Sequence, residues 1–176
     1  MRQKWQPLFA GLLLGGLAFA EPAAAGFLNG VTSRDGVDVI AVGDSGMIYR
    51  SVDGGTSMSK SYQGSSSLRA VSANGLTILI VGDGGKILRS ANSGMTWSST
   101  IVAGAPRLLG VEMPTASSAF VVGANGTLLR STDGGANWTP LASGTVGTLR
   151  SLRFVDANNG WIVGDNGFIR VTSNAG

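Results

Sequence analysis

One short pattern occurs four times in the chain: Val42-Gly43-Asp44-Ser45-Gly46, Val81-Gly82-Asp83-Gly84-Gly85, Val122-Gly123-Ala124-Asn125-Gly126 and Val163-Gly164-Asp165-Asn166-Gly167. The leading glycines stand 39, 41 and 41 residues apart, a period that fits four-stranded propeller blades and not helical or leucine-rich repeats. This constrains every other residue. A single module leaves an apolar face wet, so stability has to come from stacking on neighbours. Residue types that recur at a fixed phase are then expected to build the blade, and function is sought where the phase breaks.

The apolar runs between these motifs are short, and 28 glycines with many Ser, Thr, Asn and Asp residues separate them, as many strands joined by tight turns require. In the third repeat the pattern predicts strands over 108–113, 119–123, 127–131 and 137–141. The same reading divides the chain into blades at 28–63, 68–103, 108–141 and 149–176, the last with three strands and its fourth missing. The expected fold is therefore all-β, a β-propeller of four-stranded antiparallel blades with about four present. Propellers use about 4 to 8 blades, and 172–176 begins another turn motif without finishing it. The protein is expected to continue past Gly176, with a pair of chains or an open array as alternatives.

Residues 1–25 read as a secretory leader. Arg2 and Lys4 give a positive start, 7–20 are apolar, and Ala23 and Ala25 offer a small pair for cleavage. The apolar stretch is shorter than the roughly 20 residues that span a bilayer, so an uncleaved anchor is the lesser reading. Export to an oxidising compartment would permit disulfides, yet there is no cysteine, and packing must do that work. A formal charge of +3 is too mild to argue for nucleic acid as a partner. Ten of the thirteen basic residues are arginine, which suits directional contacts to carboxylates and carbonyls.

Between third and fourth strands lies a second motif, Ser51-x-Asp53-x-Gly55, Ser90-x-Asn92-x-Gly94-x-x-Trp97 and Ser131-x-Asp133-x-Gly135-x-x-Trp138. It resembles the Asp-box, or BNR repeat. A short acidic or amide side chain can accept backbone N–H groups of its own turn, while the tryptophan packs its ring beneath. Met58 stands where the first tryptophan is expected, and the fourth copy fits only with one residue inserted after Arg170. Each loop offers at most one carboxylate, against the several oxygen ligands calcium takes; the boxes are read as structural, with no metal and no cofactor. Arg50, Arg89, Arg130 and Arg170 follow the third strands at a fixed phase and are expected to pair locally, though a guanidinium ring for an acidic partner is possible chemistry. Arg69, Arg107, Arg150 and Arg153 sit less regularly near first strands and are the better candidates for a partner-binding surface.

The run from Ala119 to Trp138 and the segment Gly160-Trp161-Ile162-Val163-Gly164-Asp165-Asn166-Gly167-Phe168-Ile169 resemble the photosystem II stability/assembly factor family. The resemblance spans nearly everything after the leader. It implies a seven-bladed propeller in a thylakoid lumen or periplasm that holds an unassembled membrane-protein subunit through an arginine-rich surface. Of that surface, Arg50, Arg89, Arg130 and Arg170 match the repeat motif. A sialidase-like glycosidase would need a tyrosine nucleophile with a glutamate partner, an aspartate acid/base and an arginine triad. After the leader the chain has one glutamate, Glu112, with Tyr49 and Tyr62, and no histidine. The expected role is that of a non-enzymatic scaffold for a protein, touching a membrane only through that partner or an uncleaved leader, with a carbohydrate-binding or adhesion propeller as the remaining alternative.

Overall fold

The computed structural model describes residues 26–104 and 106–176; the expected leader lies outside them. Among the described residues every sheet is antiparallel and its strands pair in chain order. The first blade holds β1 (Leu28–Ser33), β2 (Val39–Gly43), β3 (Met47–Ser51) and β4 (Ser59–Tyr62). The second holds β5 (Leu68–Asn74), β6 (Thr77–Gly82), β7 (Lys86–Ser90) and β8 (Ser98–Ile101), and the third β9 (Leu108–Glu112), β10 (Ala119–Gly123), β11 (Leu128–Ser131) and β12 (Thr139–Pro140). The fourth stops at three strands, β13 (Leu149–Phe154), β14 (Gly160–Gly164) and β15 (Ile169–Thr172). These are blades of an all-β propeller, as the repeat period requires.

The core lies in the seams between blades. Along β6, Ile78 and Ile80 pack with Ile40, Val42, Ile48, Leu68 and Leu88 in the seam between blades one and two. The alternate residues Leu79 and Val81 pack with Leu108, Val111, Val121 and Leu129 in the next seam. A strand covered on both faces has no polar side to display, hence its unbroken apolar run. In the third seam Phe120 stacks on Phe154 with ring centroids 4.0 Å apart and an interplanar angle of 11°, beside Ala175. The outermost strand of blade three is shorter than the pattern predicts. Asn137 gives its N–H to Asp133 in the turn, and past Pro140 one further ladder bond, Leu141 N–H to the Leu128 carbonyl at 2.9 Å, ends the pairing.

The Val-Gly-x-x-Gly motif is a turn between second and third strands. Its first glycine is needed for space: a Cβ on Gly43, Gly82 or Gly123 would collide with the carbonyl oxygen of Phe27, Ser67 or Arg107. That same oxygen accepts the next N–H, from Asp44, Asp83 or Ala124, at 3.0, 2.9 and 2.8 Å. Its last glycine is needed for conformation, with φ of 64° to 73° in the four copies.

Candidate functional site

The Asp-box turns satisfy themselves. Ser51 Oγ donates to Asp53 Oδ1 at 2.7 Å and accepts from Gly55 N at 2.8 Å; Ser90 with Asn92 and Gly94 does the same, as does Ser131 with Asp133 and Gly135. The Ser51 hydroxyl, helped by Ser57, pulls the Asp53 carboxyl down to about 2. Bonds from the Asn137 backbone and side chain bring Asp133 to about 2 as well. Trp97 and Trp138 pack into the first and second seams, and Met58 takes the corresponding place in blade one, half-buried.

A fourth box is present at Thr172, Asn174 and Gly176. Thr172 Oγ1 donates to Asn174 Oδ1 at 3.0 Å and accepts from Gly176 N at 2.8 Å. The inserted residue expected after Arg170 is therefore not needed, and the register changes with it. Arg170 pairs with Ile162 as Leu129 pairs with Val121, whereas Arg50, Arg89 and Arg130 pair with Ile40, Leu79 and Phe120. Val171, paired with Trp161, holds the position of those three arginines. The box itself was expected, but a neighbouring arginine drew the alignment one place off and made an insertion appear necessary.

Arg50, Arg89, Arg130 and Arg170 do not converge. Arg89 Nε donates at 2.8 Å to the Gly134 carbonyl in the Asp-box of the next blade. Arg50 runs its stem beside Gly94 of the next box and places Nη2 3.5 Å from Asp38. Arg130 lies over the Phe120 ring, 5.9 Å from its centroid, with a buried Nε that makes no hydrogen bond. Arg170 turns the other way and donates to the Ser143 carbonyl at 3.0 Å.

Arg69, Arg107 and Arg150 gather on a rim where the first strands begin. Each first strand carries a bulge after its leading leucine, at Leu28, Leu68, Leu108 and Leu149, which re-aims the extra residue. Where that residue is Asn29, Arg69 or Arg150, it bonds the aspartate of its own blade's turn, Asp44, Asp83 or Asp165. In blade three both partners are apolar, Leu109 and Ala124. Arg69 grips Asp83 with two bonds, 3.0 and 2.6 Å, and Arg107 adds a third from the next blade at 2.8 Å. The Arg69 bond, more than Arg107, holds the Asp83 carboxyl below its usual range against the opposing effect of burial. Arg69 also lies 4.0 Å from Asp44, so the chain of charges links three blades.

Arg153 stands apart on β13. It bonds Glu112 Oε1 at 3.0 Å, while Glu112 Oε2 accepts the Phe154 N–H at 2.8 Å. Burial pushes the Glu112 carboxyl up, opposed by that N–H and by Arg153. The acidic partners Asp44, Asp83, Asp165 and Glu112 escaped the sequence reading. The signal for the three aspartates was a polar residue at the start of the first strand matched by Asp at the third position of the glycine turn in the same repeat. Among the described residues no group of three His, Cys, Asp or Glu could hold a metal ion, and no helix is long and apolar enough to cross a membrane.

Stacked antiparallel blades, each closed by an Asp-box and three of them crossed by an arginine, define the chain as an Asp-box β-propeller. Residues 24–173 match the family described as photosynthesis system II assembly factor YCF48. The chain belongs to that family. Among solved structures, YCF48 from Cyanidioschyzon merolae is 18% identical with a TM-score of 0.70, over 89% of this chain and 56% of that one, so the chain spans about half the length of that relative. The GH74 enzyme of Niastella koreensis is 24% identical with a TM-score of 0.65, over 86% of this chain and 29% of that one; the likeness is one of fold. YCF48 bound to D1 peptide matches at 15% identity over 91% and 82% of the two chains, with a TM-score of only 0.39. No curated protein matches.

Proposed function

We propose that the chain is a non-enzymatic binding module that holds a photosystem II subunit before assembly, against the face bearing Arg107, Arg150 and Arg153. Membership of an assembly-factor family supports the class of partner. The observation that carries the choice of face is exposure: these three side chains are 55%, 63% and 80% accessible. Arg107 and Arg150 meet their carboxylates through Nε, and Arg153 through Nη1. Each guanidinium therefore keeps donors for a carboxylate or carbonyl of a partner. Arg69, gripped twice by Asp83, has the least to offer. Export to a periplasm or thylakoid lumen is part of the proposal, supported by the composition of 1–25.

The test is a binding titration of the full chain against solubilised photosystem II core subunits and a D1 peptide. Charge-assisted hydrogen bonds contribute about 1.5–3 kcal/mol each, so Arg107→Ala, Arg150→Ala and Arg153→Ala together should weaken binding by about a hundredfold or more. Arg69→Ala should do much less. Unchanged affinity in the triple variant would remove this face from consideration.

A further inference from the structure

The residue after the leading glycine of each turn is Asp44, Asp83, Ala124 or Asp165. In blades one and two, where it is aspartate, groups from two blades converge on it. Asp44 accepts the Phe27 N–H at 3.3 Å and the Asn29 amide at 3.1 Å within its own blade, and Arg69 of the next blade stands 4.0 Å away. Asp83 accepts Arg69 of its own blade and Arg107 of the next. Arg69 therefore lies between two carboxylates, with Nε and Nη2 on Asp83 and Nη1 towards Asp44. The turn of blade three has the same backbone and no acid. Ala124 N–H reaches the Arg107 carbonyl at 2.8 Å, as Asp44 N–H reaches that of Phe27 at 3.0 Å. By register the Arg107 N–H takes the place of the Phe27 N–H, and Arg150 of blade four takes the place of Arg69. Arg150 meets Asp165 through Nε, and on the side where Arg69 has Asp44 it has Ala124. The floor beside it is apolar, half-buried Ala124 and Leu109.

We propose that the partner supplies the missing carboxylate: one such group, from an acidic side chain or a chain end, seats over Ala124 between the Arg107 N–H and the Arg150 guanidinium. The inference rests on the proposed function and fixes where on that face the partner's anion sits. Charge complementarity selects the occupant. A guanidinium with free terminal N–H groups, beside a backbone N–H, bonds a carboxylate about twice as strongly as a neutral acceptor. Leu109, where the other blades carry an amide or a guanidinium, suits an apolar group next to that carboxylate. Both walls of the notch, the turn of blade three and the first strand of blade four, are internal to the chain, so the vacancy comes from the exchange of Asp for Ala at one repeat position and not from an uncovered end.

Ala124→Asp in the full chain tests this, because it completes the rim from within while every arginine stays in place. Titrated with the D1 peptide, the variant should bind about tenfold or more weakly than the parent, and Ala124→Asn, of the same size without the charge, should lose far less. Two altered peptides separate the sources of the carboxylate, one amidated at its C-terminus and one with its acidic side chains changed to Asn or Gln. One of them should bind the parent as weakly as the unaltered peptide binds Ala124→Asp, with no further loss when that peptide and that variant are combined. Parent-like affinity in Ala124→Asp, or an equal loss in Ala124→Asn, overturns the notch and leaves the arginine face standing. Full affinity of the parent for a peptide lacking every carboxylate overturns it as well, whatever the fold of the variants. Failure of the parent to bind either the peptide or the solubilised core subunits overturns the proposed function, and this inference with it.

Discussion

Phe120→Ala should separate blade four from the rest of the molecule. Phe120 is 1% exposed and fills the third seam, with the Phe154 ring on one side and the Arg130 guanidinium above. Removing a buried phenylalanine costs about 3–5 kcal/mol through lost transfer energy and the cavity left behind. The upper half of that range is expected here, because the seam is walled by two sheets and Gly160, directly against the Phe154 ring, offers no side chain to move into the space. About 0.5–1.5 kcal/mol of the loss should be the ring pair itself, read as the coupling energy in a double-mutant cycle with Phe154→Ala. In a stack where each blade contacts only its neighbours, the damage should stay local. Hydrogen exchange read by mass spectrometry should show β13 to β15 losing protection while β1 to β8 keep theirs. With a urea m-value of about 2 kcal/mol/M, the midpoint for that segment should fall by about 2 M. Uniform loss of protection over all four blades, or a coupling energy near zero, would refute the reasoning.

Three further outcomes follow from the turns. Gly123→Ala drives a Cβ into the Arg107 carbonyl and should cost about 1–3 kcal/mol, lowering the melting temperature by several degrees, whereas Gly147→Ala, which meets only the Thr145 hydroxyl, should cost little. Ser131→Ala strands the Gly135 N–H, now bonded at 2.7 Å beside a serine that is 1% exposed, and urea melts should show about 1–3 kcal/mol lost; Thr172→Val should destabilise the end of blade four through the same bond, and an unaffected blade four would argue against the fourth box. Asp133 is held at about 2 against an ordinary 3.8, so its share of stability is complete above pH 4 and disappears as pH falls from there through 2. Thermal melts should show Asp133→Asn with a flatter acid limb than the parent, and parallel curves would count against that assignment.

The period and the glycine turns made the blades legible because both are local. A Cβ clash and a positive φ are properties of one turn, and the double-sided burial of β6 and β10 is written as an unbroken apolar run. The ends of the outer strands were less legible, since Asn137 is claimed by a turn bond. The fourth Asp-box was read with a one-residue insertion for a subtler reason. Its hydroxyl and amide do the work of Ser and Asp with different letters, and Arg170 beside it mimicked a landmark. Pairing of Arg69 with Asp83 joins residues 14 apart through a bulge, and Arg107 reaches the same carboxylate from another blade. The first contact shows only when repeats are compared, and the second has no counterpart in the other repeats.

The repeats nevertheless supply their own controls, and these sharpen where recognition should be sought. At the bulge position Asn29, Arg69 and Arg150 each come with a turn aspartate, and where the bulge residue is Leu109 the turn carries Ala124 instead. Charge kept and lost in pairs is what a local brace between strand and turn requires. Arg107 and Arg153 follow a different rule. The positions equivalent to Arg107 are Phe27, Ser67 and Thr148, whose shared duty is the backbone carbonyl that caps the glycine turn, so that duty places no demand on the side chain. Arg153 replaces an acceptor that two other blades use to hold their neighbours, at a place where a long cation forfeits that bond. Arg107, whose one carboxylate contact reaches Asp83 of the neighbouring blade, and Arg153, bonded to Glu112, are therefore the two side chains at which the proposed recognition is best tested.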